Sequence, residues 1–325
     1  MTLFPMKHMI PALVLALLAG TAGAEEPRKP VIALVPKGAS HVFWKTVEAG
    51  AREAAAEKGV ELLWSAPAKE DDRAQQMAMV DTLILRKVDA IGLAPLDAVA
   101  LRDKAARATE AGIPVAIFDS PLAKPEGASF AYVGTDNFEA GKLGARGLAA
   151  ALGGKGRVIL LRYNPGSAST EQREEGFLAG IREFPGIEVI SSNQHGGVSI
   201  ASALEKSKSL LLRFSGDKAP AGIFCANQST TQGMLQALQQ RGLAGKVTFV
   251  GFDPTLALVD ALRKGEINGI VAQNPHAMGR RTVEAAVAKL RGEPVPERTD
   301  TGCVLVTPAN VDTPEIQAVV KPQLN

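Results

Sequence analysis

The chain has 325 residues, 46% of them hydrophobic, with 36 basic against 34 acidic side chains and a formal charge of +2. Such a composition supports a large core and, at roughly 100–200 residues per domain, two compact units; it excludes disorder, a collagen repeat and a disulfide-stapled miniprotein. The near-balanced charge argues against nucleic acid as a partner, because phosphate recognition leaves a basic stripe.

The amino terminus reads as an export signal over 1–24: Lys7 and His8, an apolar run over 9–19, then Ala22-Gly23-Ala24, a small-x-small cleavage site. The run is about 11 residues, against about 20 for a spanning helix, so a cleaved leader fits better than an anchor. Cleavage is expected after Ala24 and, with no cysteine near that point, without lipid attachment. A soluble protein of the bacterial periplasm is the expectation.

From Val31 onward, short runs of Val, Ile and Leu alternate with longer amphipathic stretches, the pattern of βαβ units feeding a parallel sheet. Strands are expected over 31–36, 60–65, 90–95 and 114–119, with helices over 43–58, 71–86 and 98–110 between them. Over 120–132, Pro121, Pro125 and Gly127 break the pattern. It then restarts with strands over 157–162, 188–192, 221–226 and 247–253, separated by helices over 170–183, 199–213 and 230–241. A helix over 256–264, a strand over 269–273, a helix over 277–291 and a strand over 304–307 complete the chain. The expected class is α/β, with two doubly wound parallel-sheet units. One economical arrangement returns the chain to the first unit and out again.

In open α/β sheets, ligands bind beyond the carboxyl ends of the strands. The residues there are Lys37, His41, Phe43 and Trp44 after the first strand and Asp119 after the fourth. Tyr163, Asn164 and a Ser/Thr-rich turn lead to Arg173, and the later strands end in Asn227, Phe252-Asp253 and Gln273-Asn274. Carboxylates, amides, an arginine and aromatic faces in one cleft suit a polyhydroxylated ligand, because planar groups pair with adjacent hydroxyls and rings cover a C–H face. Each residue also has an ordinary use: Asp119 and Asp253 as helix caps, Arg173 on a solvated helix face, the aromatics in the core, Asn227 and Gln273 in turns.

Signals for catalysis are weak. His8, His41, His195 and His276 show no ligand spacing. Gly153-Gly154-Lys155-Gly156 lacks the pattern of a phosphate loop, and Gly166-Ser167-Ala168-Ser169 that of a nucleophile elbow. Cys225 and Cys303 are too few for a disulfide framework, although one bridge between them stays open.

Several segments in order, among them IALVPKGASHVFWK, GIPVAIFDS, STEQREEGF, GIFCANQ, FVGFD and GIVAQN, resemble the ribose-type periplasmic sugar-binding proteins from about Val31 to Val306. The LacI-type repressors share that fold but carry an amino-terminal DNA-binding domain, where this chain has its leader. The resemblance implies the type I periplasmic binding protein fold, two lobes joined by a three-crossover hinge. The lobes would be 30–135 plus 274–301 and 136–273 plus 302–325. It further implies a monomer that closes on a sugar or polyol, without cofactor, and delivers it to the membrane permease of an ATP-driven (ABC) importer.

Carried over by position, the resemblance gives hydroxyl-binding or stacking roles to Lys37, His41, Phe43, Trp44, Asp119, Arg173, Asn227, Phe252, Asp253 and Gln273. The sequence departs from the ribose binders where Ser120 replaces an arginine, Lys37 and His41 replace smaller neutral residues, Gln228 replaces an aspartate, and Gly196-Gly197 lies where an aromatic is missing. Those changes leave open a pentose, a hexose, a polyol or a ligand with one acidic group. Two other functions share these residues: a sensor docking on a chemoreceptor or histidine kinase, and an exported glycosidase using Asp119 and Asp253 as its carboxylate pair.

Overall fold

The computed structural model describes residues 1–2, 28–39, 41–123 and 130–324. The expected leader beyond Thr2, together with Ser40, Pro125 and Gly127, lies outside the described residues.

The first half runs β1 (Val31–Val35), α1 (Val42–Lys58), β2 (Glu61–Trp64), α2 (Arg73–Leu85), β3 (Ala90–Leu93), α3 (Arg102–Glu110), β4 (Val115–Phe118) and β5 (Ala131–Gly134). The second runs α4 (Asn137–Ala151), β6 (Lys155–Arg162), α5 (Ala168–Ile181), β7 (Gly186–His195), α6 (Ile200–Arg213), β8 (Gly222–Cys225), α7 (Gln228–Gln240), β9 (Thr248–Phe252), α8 (Leu256–Arg263) and β10 (Gly269–Gln273). Then come α9 (Pro275–Leu290), β11 (Arg298–Asp300), β12 (Cys303–Val306) and α10 (Pro314–Val320).

The strands form two six-stranded sheets, ordered β11-β5-β4-β3-β1-β2 and β12-β10-β9-β8-β6-β7. Every pairing is parallel except β10 with β12. The chain passes between the sheets after β5, after β10 and after β11. Parallel strands need helices on both faces. On the first sheet α1 and α9 bury one side and α2 and α3 the other. On the second, α4 and α5 oppose α6, α7, α8 and α10.

Three elements near the crossings, β5, α4 and β11, were not among those expected from the sequence. The interruption expected over 120–132 ends earlier, since β5 begins at Ala131. Helix α4 is built largely of Ala and Gly, and its buried face is made mostly of these small residues. Its small side chains let it pack at backbone distance: a Cβ on Gly141 would lie 2.1 Å from the Arg173 carbonyl of α5. The same device joins α1 to α9, where a Cβ on Gly279 would sit 1.9 Å from the Val47 carbonyl. Strand β11 reads Arg-Thr-Asp and carries no hydrophobic signature at all. Cys225 and Cys303 are free thiols, which answers the open question of a bridge.

Candidate functional site

At the carboxyl ends of the two sheets lies one cavity. Nine of the ten residues expected there line it: Lys37, His41, Phe43, Trp44, Asp119, Arg173, Asn227, Asp253 and Gln273. Phe252 does not. It is fully buried in the core beneath α4 and α5, and its ring lies 4.1 Å under the Arg173 guanidinium. Its contact is thus with the arginine, a cation–π support in a desolvated site.

Asp119 follows β4 and Asp253 follows β9, and both adopt the left-handed conformation, with φ of 59° and 61°. Aspartate tolerates that region better than most residues. Each donates its backbone N–H to the neighbouring strand, to the Val133 carbonyl at 3.0 Å and the Val271 carbonyl at 2.9 Å. That turn lifts each side chain off the sheet edge, and neither residue caps a helix.

On the first sheet's side, Asp119 pairs with the Lys37 ammonium at 3.0 Å. Lys37 also donates across the gap to the hydroxyls of Ser167 at 3.1 Å and Ser169 at 2.8 Å, at the start of α5. The Ser169 N–H in turn donates to the Ser120 hydroxyl at 3.1 Å.

A second bridge centres on Glu70, in the loop after β2. Its Oε1 accepts from Trp44 Nε1 at 2.6 Å and lies 2.8 Å from His41 Nδ1, while its Oε2 accepts from the Tyr163 hydroxyl of the other side at 2.7 Å. Burial alone would push the Glu70 carboxyl up, but the His41 charge and the three hydrogen bonds hold it down at about 2. Burial likewise opposes charge on His41, yet the Glu70 and Asp253 carboxylates outweigh it and raise its pKa. The pairing thus favours the charged form of each group over its ordinary state.

On the second sheet's side, Arg173 is 2% exposed and no part of a solvated helix face. Its Nε donates to Asn137 Oδ1 at 2.8 Å, and one terminal nitrogen donates to the Ala226 carbonyl at 3.2 Å and lies 3.7 Å from Asp253 Oδ2. Asp253 also accepts from Gln273 Nε2 at 2.7 Å and from the Gln228 N–H at 3.3 Å. Burial raises the Asp253 pKa, with the Arg173 charge and these hydrogen bonds pulling the other way. Gln273 serves no turn: its Oε1 accepts from the Thr135 hydroxyl at 2.9 Å, so it ties Asp253 to the first crossing.

Asn227 does what an ordinary cap does. It starts α7 with a reciprocal capping box, its Oδ1 accepting from the Thr230 N–H at 3.2 Å. Phe43 and Trp44 belong both to the core and to the cavity wall, their rings 4.9 Å apart and edge to face.

The cavity itself is about 30 Å3, room for roughly two waters. Its polar groups are satisfied by one another, through Lys37, the two serines, Asp119, Asp253 and Gln273. Among the described residues there is no cluster of His, Cys, Asp and Glu that could hold a metal, and no helix long and apolar enough to cross a membrane.

Glu70 is the residue that the sequence reading missed. It lies in the loop beyond the second strand, too far past the strand's end at Trp64 for the strand-end rule to single it out. Tyr163, Ser167 and Ser169 stand in the turn already noted after the fifth expected strand, yet their bridging role was not readable.

Known proteins resemble this chain along most of its length. A family model described as a periplasmic binding protein domain matches residues 32–294. The D-allose-binding periplasmic protein of Escherichia coli strain K12 is 30% identical over 271 residues, covering 81% of this chain and 86% of that protein. Among solved structures, the periplasmic component of an ABC-type sugar transport system from Hahella chejuensis is 37% identical with a TM-score of 0.80, covering 85% of this chain and 99% of the other. An ABC transporter solute-binding protein from Agrobacterium vitis with bound D-fucose is 34% identical with a TM-score of 0.84, covering 89% and 99%.

Proposed function

This chain belongs to the periplasmic binding protein domain family, and from that premise we propose how its cleft serves the family's work. It is a solute-binding protein of the ABC-importer class that binds sugars and catalyses no reaction. The observation that carries the reading is the meeting of Asp119, at the end of one sheet, with Asp253 and Gln273, at strand ends of the other, and Arg173 of α5, in one buried polar cavity.

The lobes 30–135 plus 274–301 and 136–273 plus 302–325 move as units about the three crossings. A monosaccharide or polyol held by both lobes favours the closed form through contacts that the open form cannot make. Asp119 and Asp253 accept from ligand hydroxyls, Arg173, Lys37, Asn227 and Gln273 donate to them, and Phe43 and Trp44 cover an apolar ring face. The closed surface is what the permease of the importer recognises. The leader directs the chain to the periplasm and is removed after Ala24.

D-Allose and D-fucose, the sugars named with two of the relatives, head the candidates. A thermal-shift screen over hexoses, pentoses and polyols tests the function: a ligand at 100 times its Kd adds ~2.7 kcal/mol of stability. One sugar class is expected to raise the melting temperature clearly, and no shift with any of them overturns the reading.

A further inference from the structure

The central cavity is not the largest space between the sheets. Next to it, an outer cleft of about 630 Å3 opens between the loop after β2 and the loop after β7. His41, Glu70 and Gln228 line both spaces, so cavity and cleft meet at three polar residues. The outer volume lies in the range of about 300–1,000 Å3 that small-molecule sites occupy.

The walls of this cleft suit a second polyhydroxylated unit. On one side the exposed Ala68 and Lys69 flank it. On the other, the backbone turns at Gly197, with φ of 79°, so that wall stays low before Val198 and Ile200 give it a small apolar patch. Asn164 and Ser202 add an amide and a hydroxyl. Donors and acceptors around a modest apolar patch match a sugar ring, which offers hydroxyls at its rim and C–H groups on its face.

We infer that the outer cleft is a second sugar subsite, and that the preferred ligand is a disaccharide or glycoside whose terminal ring fills the central cavity while its next unit lies between Lys69 and Val198. The inference rests on the sugar-binding reading given above. In the closed form, His41, Glu70 and Gln228 then flank the linkage between the two units.

Titration calorimetry on the mature protein tests it, with each two-unit probe set against its own monosaccharide: lactose and melibiose against D-galactose, cellobiose and maltose against D-glucose, and p-nitrophenyl β-D-fucopyranoside against D-fucose. At least one two-unit probe is expected to bind about tenfold tighter than its monosaccharide. Val198→Trp and Ala68→Trp, which fill the cleft from opposite walls, are each expected to erase that advantage while leaving monosaccharide affinity within about twofold. Monosaccharides that bind while every larger probe binds more weakly would overturn the subsite and leave the sugar receptor standing. An advantage that persists in both tryptophan variants would also overturn it. If no probe of either size binds while the thermal screen identifies another sugar, the disaccharide subsite falls and the sugar receptor stands; if that screen is negative as well, both readings fall together.

Discussion

The two halves of the cleft solve one problem with the same backbone device and different side-chain support. Asp119 and Asp253 each end a strand in the left-handed conformation, each is bonded through its N–H to the next strand, and each faces a buried cation. The cation beside Asp119 is Lys37, a flexible ammonium that also grips two serines of the opposite side. The cation beside Asp253 is Arg173, a planar guanidinium fixed by Asn137, the Ala226 carbonyl and the face of Phe252, all within its own half. The network around Asp119 therefore reaches the opposite side through Lys37, whereas the contacts that fix Arg173 stay within its own half. Preorganised groups bind at lower cost, so we propose that the second half is the anchor and the first half the part that closes.

The sharpest test of that asymmetry is Asp253→Ala. It leaves the Arg173 guanidinium, the Gln273 amide and the Gln228 N–H short of an acceptor in a buried site. Affinity for whichever sugar the thermal screen identifies is expected to fall by about 2–5 kcal/mol in calorimetry. Wild-type affinity would remove Asp253 from the site.

Asp119→Ala should cost less, about 1–3 kcal/mol, since Lys37 keeps both serine hydroxyls when its carboxylate is gone. The two variants carry the same left-handed backbone strain, with φ of 59° and 61°, so that contribution cancels in the comparison. Equal losses, or a larger loss at Asp119, would break the anchor-and-closer distinction.

How much of this could be read beforehand follows from the chemistry of parallel sheets. Several of their inner strands are apolar, so the polar residue at or just past the end of each stands out, and Lys37, Asp119, Asn227, Asp253 and Gln273 were visible for that reason. Phe252 shows the limit of the rule. It is the last residue of β9 and stands beside Asp253, yet it turns into the core and meets only the arginine. Glu70 lies well past Trp64, the end of β2, and reaches the site only because the loop folds back, which no strand pattern encodes. Strand β11 escaped notice because it is short and polar and leaves no apolar period.

Glu70 also supplies the smallest and most specific prediction, because it joins the halves through Trp44 and His41 on one side and Tyr163 on the other. Glu70→Gln keeps a carbonyl acceptor, and His41 without a counter-charge can lose its proton, so the loss of stability near pH 6 is expected to be only about 1 kcal/mol. Its pH profile tells more than its size. The depressed carboxyl contributes stability that is complete above its ordinary value of 4.5 and is lost as pH falls toward about 2. The raised imidazole contributes stability that is complete below its ordinary value of 6.5 and is lost as pH rises through its folded pKa. The wild-type advantage over Glu70→Gln, followed by thermal melting, should therefore peak between those two values and shrink on either side. An advantage that is flat with pH would mean that Glu70 and His41 meet as neutral groups, and their charges would then contribute nothing to holding the two sides together.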